Sequence, residues 1–247
     1  MIYVCIPAHD EARTLGVLLW KIRGVFKEFE RDYRVMVLDD ASTDDTAEVL
    51  DRYRQVLPLD VVRSEKRLGY GGALDKILRH AVQAAPYPKR DVIVTLQADF
   101  TEGPEDIVPL IKAIEGGADL VAGAVDSVGH PPRAVRFSRW TAERLLKAST
   151  QAAPVADPTC GLRAYRVVVV KKALRDRGDV ALVEGSGPAV NVELLRLLAP
   201  HARRIQDTPV ALRYDLRRRG SRMKPLTTTL DLFKIRKRPW VPNETTA

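Results

Sequence analysis

The sequence predicts an α/β domain with a mostly parallel central sheet and helices on both faces. Short apolar runs alternate with segments of helical period along the first half of the chain. These runs are apolar throughout, which is typical of strands covered on both faces. Polar residues follow directly at the ends of several runs, where α/β proteins bind ligands. The 247 residues suffice for one large domain of this class.

The first 124 residues predict a regular order of elements. Strands are expected at 2–7, 34–40, 59–64, 91–99 and 118–124. Helices are expected at 11–29, from a cap at Ser42 or Thr43 to about Gln55, from the glycine-rich turn 68–73 to about Ala85, and at 104–115, where Pro104 suits a first turn.

The second half of the chain is less regular. Residues 133–150 predict a helix, and 157–165 predict a loop that leads into a strand. A glycine-broken loop followed by a helix is expected at 183–198, and 203–216 is expected to be extended. Pro225 to about Arg238 is a short basic amphipathic stretch.

The net charge of +8 is concentrated near the C-terminus. Between Arg203 and Arg238 there are twelve Lys and Arg against three Asp, a local charge of +9 that leaves the rest of the chain near −1. Such a patch favours an anionic partner, namely phosphate, nucleic acid or an acidic membrane surface, unless it is simply a solvated surface. No known nucleic-acid-binding motif is present and aromatic residues make up only 6%, so we expect no nucleic-acid partner.

The cellular location expected from the sequence is cytoplasmic. No run of 18 apolar residues occurs, and the N-terminus lacks the pattern of a secretory signal. Two cysteines, Cys5 and Cys160, are too few for a disulfide framework, and we expect both to pack in the core.

Polar side chains collect where three predicted strands end. His9, Asp10 and Glu11 follow the first strand, Asp39 and Asp40 the second, and Gln97 and Asp99 the fourth. If 97 and 99 are extended, their side chains point the same way, as two ligands of one cation would. An amide oxygen can ligate a hard cation, but Gln97 brings no negative charge.

Four segments in this order resemble family 2 glycosyltransferases of the polyprenyl-phosphate branch, which includes dolichyl-phosphate mannose synthases. They are IPAHDEARTL, VLDDASTDDT, LQADFTEGPEDI and DPTCGLRAYR. The resemblance implies a GT-A fold, with one catalytic domain at 1–215. Its nucleotide-binding part would cover about 1–124 and its acceptor-binding part about 125–215, followed by a basic segment at 216–247.

The resemblance also implies a nucleotide-sugar site. Asp39 or Asp40 would accept hydrogen bonds from the ribose or the base, although an acid here can also cap a helix or turn. The turn at Gly69 would either receive a phosphate or be a plain tight turn. The full set expected to bind the nucleotide sugar is Pro7, Ala8, Asp10, Glu11, Asp39, Asp40, Gly69, Gln97, Ala98 and Asp99.

A divalent cation, Mg²⁺ or Mn²⁺, would stabilise the diphosphate leaving group at the family's Asp-x-Asp position. Asp99 matches the second Asp of that motif, and Gln97 replaces the first, so we expect a weakened metal site. Alternatively, basic residues partly replace the cation, or Glu102, Glu105 or Glu193 supplies a carboxylate. Glu105 also fits the first turn of a helix, where acids are favoured.

The acceptor implied by the resemblance is a lipid phosphate, which Arg binds well. Because a phosphate is already ionised, it needs no strong base; a hydroxyl acceptor would need one, with Asp157 and Glu193 as candidates. The residues expected to hold the acceptor phosphate are Arg133, Arg136, Arg139, Arg163, Arg217, Ser221 and Lys224, of which the first three also fit a solvated helix face. Those expected to act in catalysis are Asp99, Asp157, Arg163 and Glu193.

The function expected from the resemblance is inverting transfer of a hexose from a nucleotide sugar to a polyprenyl phosphate. GDP-mannose is the first candidate donor and UDP-glucose the second. The basic C-terminal segment would hold the protein on the inner face of an anionic membrane, or would simply pack on the domain. Two alternatives remain open: a soluble sugar or glycan acceptor, and a non-catalytic protein that binds sugar nucleotides.

Overall fold

The structure, a computed structural model, describes residues 1–128, 155–183 and 187–213. The strands in these ranges are β1 (Ile2–Ala8), β2 (Tyr33–Asp40), β3 (Leu59–Ser64), β4 (Val92–Thr95), β5 (Leu120–Val128), β6 (Arg163–Arg166) and β7 (Ile205–Leu212). The α-helices in these ranges are α1 (Ala12–Glu28), α2 (Thr46–Tyr53), α3 (Gly69–Ala84), α4 (Ile107–Glu115), α5 (Val167–Arg177) and α6 (Pro188–Leu198). Short 3₁₀ turns at Pro104–Asp106 and Ala199–His201 precede α4 and follow α6.

The strands form one sheet in the order β3-β2-β1-β4-β6-β5-β7. All neighbouring pairs are parallel except the two made by β6, which runs antiparallel to both β4 and β5. The predicted fold class, a mostly parallel sheet in an α/β domain, is therefore confirmed. Since the sheet runs through both halves of the chain, the proposed boundary near residue 124 does not coincide with a break in the sheet.

Each face of the sheet packs against its own helices, which explains why the strands are apolar without alternation. On β1, Val4 and Ile6 pack in the cluster that contains the buried residues of α1 and α4. Tyr3 and Cys5 lie in the opposite cluster, with α3, α5 and α6. Successive side chains of a strand point to opposite faces, so both sets must be apolar.

The order of the strands reverses beside β1. From β1 the chain moves outward to β2 and β3, and then returns to place β4 on the other side of β1. In a sheet of this kind, the crevice at the carboxyl ends of the two strands that flank the reversal is where ligands bind. The crevice between β1 and β4 is thus the expected position of a site.

Strand β4 is shorter than the predicted strand 91–99, which corrects that prediction. It pairs with β1 only as far as Thr95, which lies opposite Cys5. β1 pairs with β2 along its whole length to Ala8, so its last residues have β2 but not β4 as a strand neighbour. The segment after Thr95 therefore turns away from the sheet, and the notch it leaves is bordered by Pro7 and Ala8.

Two further differences concern the helices. The sequence did not predict α5, because its first turn is a run of four valines, residues typical of strands. Ser42 and Thr43 do not cap α2; its N-cap is Asp45, which makes no side-chain cap hydrogen bond. The predicted helix 133–150 and the basic stretch from Pro225 lie outside the described residues.

The start of β6 is packed closely against β5 and β7. A Cβ atom added to Gly123 of β5 would lie 2.9 Å from Cys160 Sγ, 3.0 Å from the Leu162 carbonyl oxygen and 3.0 Å from Val210 Cγ2. Cys160 is buried here, as expected for a packing role. The absence of a side chain at 123 is what lets the segment before β6 approach the sheet.

We expect Gly123→Ala to lower the free energy of unfolding by about 1–3 kcal/mol, because the added methyl group overfills a packed core. Urea denaturation measures this. The matched control is Gly24→Ala, in an exposed position of α1 with no atom within 4 Å of the added Cβ. That change should raise stability by about 0.5–1 kcal/mol. Equal effects of the two substitutions would contradict the packing described for Gly123.

Candidate functional site

The loops after β1 and β2 are hydrogen-bonded to each other. The Asp10 amide donates to Ser42 Oγ at 2.9 Å, and the Thr43 amide donates to Asp10 Oδ1 at 2.8 Å. The Glu11 amide donates to Thr46 Oγ1 at 2.9 Å. Asp10 has a φ of 47°, an unusual conformation that these bonds stabilise. The two loops therefore form one rigid rim beside the crevice.

His9 joins the same two loops through both of its ring nitrogens. Nδ1 donates to the main-chain oxygen of Asp40 at 2.7 Å, and Nε2 lies 3.1 Å from Asp10 Oδ2. With both nitrogens engaged, the imidazole is suited to holding the rim in place.

Asp39 and Asp40 point to opposite faces of the sheet, as adjacent residues of a strand must. Asp39 Oδ1 accepts from the Ser42 amide at 3.1 Å. Asp40 uses both oxygens on the turn that begins α3, accepting from the amides of Leu68 at 2.6 Å and Gly69 at 2.9 Å. Both carboxylates are buried.

Asp40 therefore occupies the amides that would otherwise be available at the start of α3. A carboxylate is favourable there because the first amides of a helix have no partner within the helix. Gly69, with a φ of +75°, supplies the conformation that brings its amide to the carboxylate. The contacts favour the capping interpretation for Asp40, and a nucleotide-binding role for either acid stays a prediction.

The segment after β4 turns back on itself through Glu102. Glu102 Oε2 accepts from the Gln97 amide at 2.9 Å, and Oε1 accepts from Gln97 Nε2 at 3.3 Å. Asp99 Oδ1 accepts from the Thr101 amide at 3.1 Å, and Phe100 between them has a φ of 66°. Asp99 thus lies in a turn and Gln97 just before it, both beyond the end of β4. This corrects the expectation that an extended segment points the two side chains the same way.

Glu102 is almost fully buried, with 1% of its surface exposed. Its Oε1 also accepts from the Gly161 amide at 3.1 Å. The pKa of Glu102 is raised to about 7: burial, the largest cause, and the charge of Asp99 raise it, while the hydrogen bonds from Gln97 lower it. The sequence indicated this residue only as one of three substitutes for a missing carboxylate.

A cation near the end of β4 would have to complete its coordination on a bound ligand. The described residues contain no group of three or more His, Cys, Asp or Glu arranged to hold a metal ion. Asp99 and the amide oxygen of Gln97 are hard donors of the kind that Mg²⁺ and Mn²⁺ accept. Glu105 lies at the surface, bonded to Lys21 at 2.9 Å, and is not part of this set.

A loop at 157–161 forms the other wall of the site. Asp157 Oδ1 accepts from both the amide and the hydroxyl of Thr159, at 2.9 and 2.6 Å, so the loop is ordered by its own side chains. Thr95 Oγ1 donates to the Gly161 carbonyl oxygen at 2.7 Å. The end of β4 and this loop are therefore joined directly.

Arg163 is buried and holds main-chain oxygens. It is 1% exposed, and its two terminal nitrogens donate to the carbonyl oxygens of Asn191 and Pro158, each at 2.6 Å. In this conformation the guanidinium clamps the 157–161 loop to α6. These contacts differ from the expectation that Arg163 meets an acceptor phosphate, and that role stays a prediction.

Two residues of this network were not predicted from the sequence. Asn191 Nδ2 donates to the Thr159 carbonyl oxygen at 2.9 Å, and Tyr70 donates its hydroxyl proton to Asn191 Oδ1 at 3.0 Å. Asn191 thereby connects α3, α6 and the 157–161 loop. The sequence feature that could have indicated Asn191 is its position as a polar residue between two valines of α6.

Of the remaining predicted site residues, some are buried near the crevice elements and others lie outside the described residues. Ala98 and Glu193 are buried, Ala98 in the turn after β4 and Glu193 on α6. Several acceptor candidates lie outside the described residues: Arg133, Arg136, Arg139, Arg217, Ser221 and Lys224.

The strand order and the helices on both faces of the sheet define the chain as an α/β protein of the doubly wound class. Within that class, the chain belongs to glycosyl transferase family 2, whose sequence model matches residues 3–174. The family predicted from the four motifs is therefore confirmed.

Similar curated proteins include two from Pseudomonas named undecaprenyl-phosphate 4-deoxy-4-formamido-L-arabinose transferase. The protein from P. fluorescens Pf0-1 is 30% identical over 176 residues, which are 70% of this chain and 49% of that protein. The one from P. syringae pv. syringae B728a is 27% identical and covers 81% of this chain and 58% of that protein. The chain thus spans about half the length of these relatives.

Solved structures of similar fold include glucosyl-3-phosphoglycerate synthase from Mycobacterium tuberculosis in complex with Mn²⁺, UDP and glucosyl-3-phosphoglycerate. It has a TM-score of 0.65 at 21% identity and covers 99% of this chain and 81% of that chain. TarS of S. aureus, residues 1–349 with UDP-GlcNAc, has a TM-score of 0.57 at 17% identity and covers 89% and 59%. These likenesses confirm the GT-A fold.

We expect Asp40→Asn to lower the free energy of unfolding of the ligand-free protein by about 1–3 kcal/mol, because the amide group must face one of two buried N–H donors. Denaturant unfolding without nucleotide measures this. The control is Asp45→Asn at the exposed N-cap of α2, which should change stability by less than about 0.5 kcal/mol. Unchanged stability of Asp40→Asn would instead favour a carboxylate kept only for ligand binding.

Proposed function

We propose that this chain transfers a sugar from a UDP-linked donor to a polyprenyl phosphate, with inversion at the anomeric carbon. The observation that carries the proposal is the match over most of the chain to transferases whose names specify undecaprenyl phosphate. A uridine nucleotide is favoured over the GDP-mannose first expected from the motifs, because structures of similar fold are described with UDP or UDP-sugars.

The crevice between β1 and β4 would receive the donor. Its rim, built from the loops after β1 and β2, would border the nucleoside, with Glu11 and Asp39 as hydrogen-bond acceptors. The diphosphate would lie toward the turn after β4, where Asp99 and Gln97 offer oxygen ligands. A divalent cation there would supply charge stabilisation to the departing nucleoside diphosphate.

The acceptor phosphate would approach from the 157–161 loop. A phosphate monoester is ionised near neutral pH and attacks without a general base. His9 is not needed as a base in this reaction, and both of its ring nitrogens are already bonded within the rim. Direct attack on the face opposite the leaving group gives inversion.

The acceptor proposed here would place the reaction at a membrane surface. Among the helices of the described part of the chain, none combines the length and the hydropathy that a bilayer crossing requires. We propose that binding to the membrane uses the basic residues between Arg203 and Arg238, attracted to anionic lipids.

A second candidate function keeps the fold and changes the acceptor. The glucosyl-3-phosphoglycerate synthase structure matches 99% of this chain, and its description names a small soluble acceptor. A hydroxyl acceptor requires a base, and the buried carboxylate of Glu193 or that of Asp157 would be the candidate.

We expect the purified chain, with Mn²⁺, vesicles containing undecaprenyl phosphate and a panel of UDP- and GDP-sugars, to form a sugar-linked lipid with a UDP-sugar. Asp99→Asn should lower kcat by about 100-fold or more, because the charge opposite the cation is lost. The control Asp51→Asn, in an exposed ion pair with Arg63, should retain activity. Product is measured by radiolabel transfer into organic solvent.

Three results of the same assay would contradict the proposal in distinct ways. Transfer only to 3-phosphoglycerate or free sugars would favour the soluble acceptor. Transfer only from GDP-sugars would overturn the choice of donor. Calorimetric binding of a sugar nucleotide without turnover on any acceptor would indicate a non-catalytic binding protein.

A further inference from the structure

Glu102 connects two segments that come from distant parts of the chain. Its carboxylate receives three hydrogen bonds: from the Gln97 amide at 2.9 Å, from Gln97 Nε2 at 3.3 Å and from the Gly161 amide at 3.1 Å. The first two belong to the turn after β4 and the third to the 157–161 loop. A buried carboxylate requires such donors, and removing one leaves an unsatisfied group in the interior.

The backbone of Glu102 is fixed independently of its side chain. Glu102 forms an isolated bridge with Leu212, and the Arg213 amide donates to the Thr101 carbonyl oxygen at 2.8 Å. The end of β7 thus holds this turn through main-chain contacts. The carboxylate is therefore presented by a rigid support.

Gly161 provides no room for an alternative arrangement. A Cβ atom at this position would lie 2.9 Å from Gln97 Nε2 and 2.9 Å from Glu102 Oε1, with Asn191 Nδ2 at 3.3 Å. The amide of Gln97 and the carboxylate of Glu102 therefore pack directly on the backbone of the loop.

We propose that Glu102 is a positioning residue that fastens the 157–161 loop to the end of β4, and that residue 97 is an amide because it donates to Glu102. The part of this inference that concerns catalysis rests on the proposed function. The hydrogen-bond pattern itself does not.

The proposal and the interpretation of Gln97 as a weakened cation ligand predict opposite effects of Gln97→Asp on activity. If Gln97 is only a poor ligand, Gln97→Asp restores a carboxylate and raises activity. If Gln97 is the donor to Glu102, Gln97→Asp removes that donor and places two carboxylates together in a buried position. The contact between Glu102 and the Gly161 amide is then weakened. The rest of the 157–161 loop is still held by the bonds from Thr95, Arg163 and Asn191.

The first test measures the amide hydrogen exchange of Gly161 in the ligand-free protein. Glu102→Ala should accelerate exchange at Gly161 at least tenfold, and the isosteric Glu102→Gln should accelerate it less. The matched control is Glu105→Gln, which removes an exposed acid of the same segment that forms an ion pair with Lys21. This change should leave Gly161 exchange unchanged. If Glu102→Ala does not fold, Glu102→Gln decides the test. Wild-type exchange at Gly161 in the variant that folds overturns the proposal.

The second test is a double-mutant cycle of Gln97→Asp and Glu102→Gln. Gln97→Asp alone should accelerate Gly161 exchange and lower kcat/KM for transfer at least tenfold. In the Glu102→Gln background both effects should shrink at least fivefold, because the two carboxylates no longer face each other. An increase in activity with Gln97→Asp, whatever residue occupies 102, would overturn the proposal.

A comparison of KM for the acceptor with Kd for the nucleotide distinguishes positioning of the loop from a general loss of structure. Glu102→Gln should raise KM for the acceptor at least fivefold while the Kd of the nucleotide alone changes less than twofold. A parallel loss of nucleotide affinity would indicate a merely structural role. If the wild-type protein transfers no sugar to any acceptor, the proposed function fails, while Gly161 exchange still tests the contact.

Discussion

Main-chain N–H groups that leave the sheet at the ends of parallel strands need new acceptors, and in this chain carboxylates provide many of them. Asp40 accepts from the two amides that begin α3, and Glu102 accepts from amides on both sides of the crevice. Asp10, Asp39 and Asp99 each accept from a loop amide in the same way. Because an unsatisfied buried amide costs about as much as a lost hydrogen bond, the geometry of the whole crevice depends on these acids.

The same acids make the crevice electrostatically unsuited to a diphosphate on its own. Asp39, Asp40, Asp99 and Glu102 are all buried near the ends of the strands. A nucleoside diphosphate brings more negative charge into this environment, which favours a bound cation or basic side chains as counter-charge. The family membership and the surplus of Lys and Arg toward the C-terminus are both consistent with such compensation.

Strand positions, which depend on the periodicity of apolar residues, could be predicted from the sequence. Side-chain contacts between distant segments could be predicted less well. The apolar runs located the first strands because both faces of the sheet are covered, and the acids at their ends located the crevice. α5 was missed because its valines are equally suited to a strand. The burial of Arg163 could not be predicted, since it follows from the antiparallel placement of β6 and from carbonyl oxygens supplied by α6 and the 157–161 loop. The opposite directions of Asp39 and Asp40, by contrast, follow from strand geometry alone.

The antiparallel strand β6 has a consequence for how such proteins diversify. β5 ends at the carboxyl edge of the sheet, and β6 begins at that same edge because it runs in the opposite direction. The connection between these two strands thus starts and finishes at the edge of the sheet that carries the crevice. Changes in the length or composition of this connection would alter what reaches the crevice while the seven strands keep their register. Evolution can in this way vary the surroundings of the crevice without rebuilding the sheet that forms it.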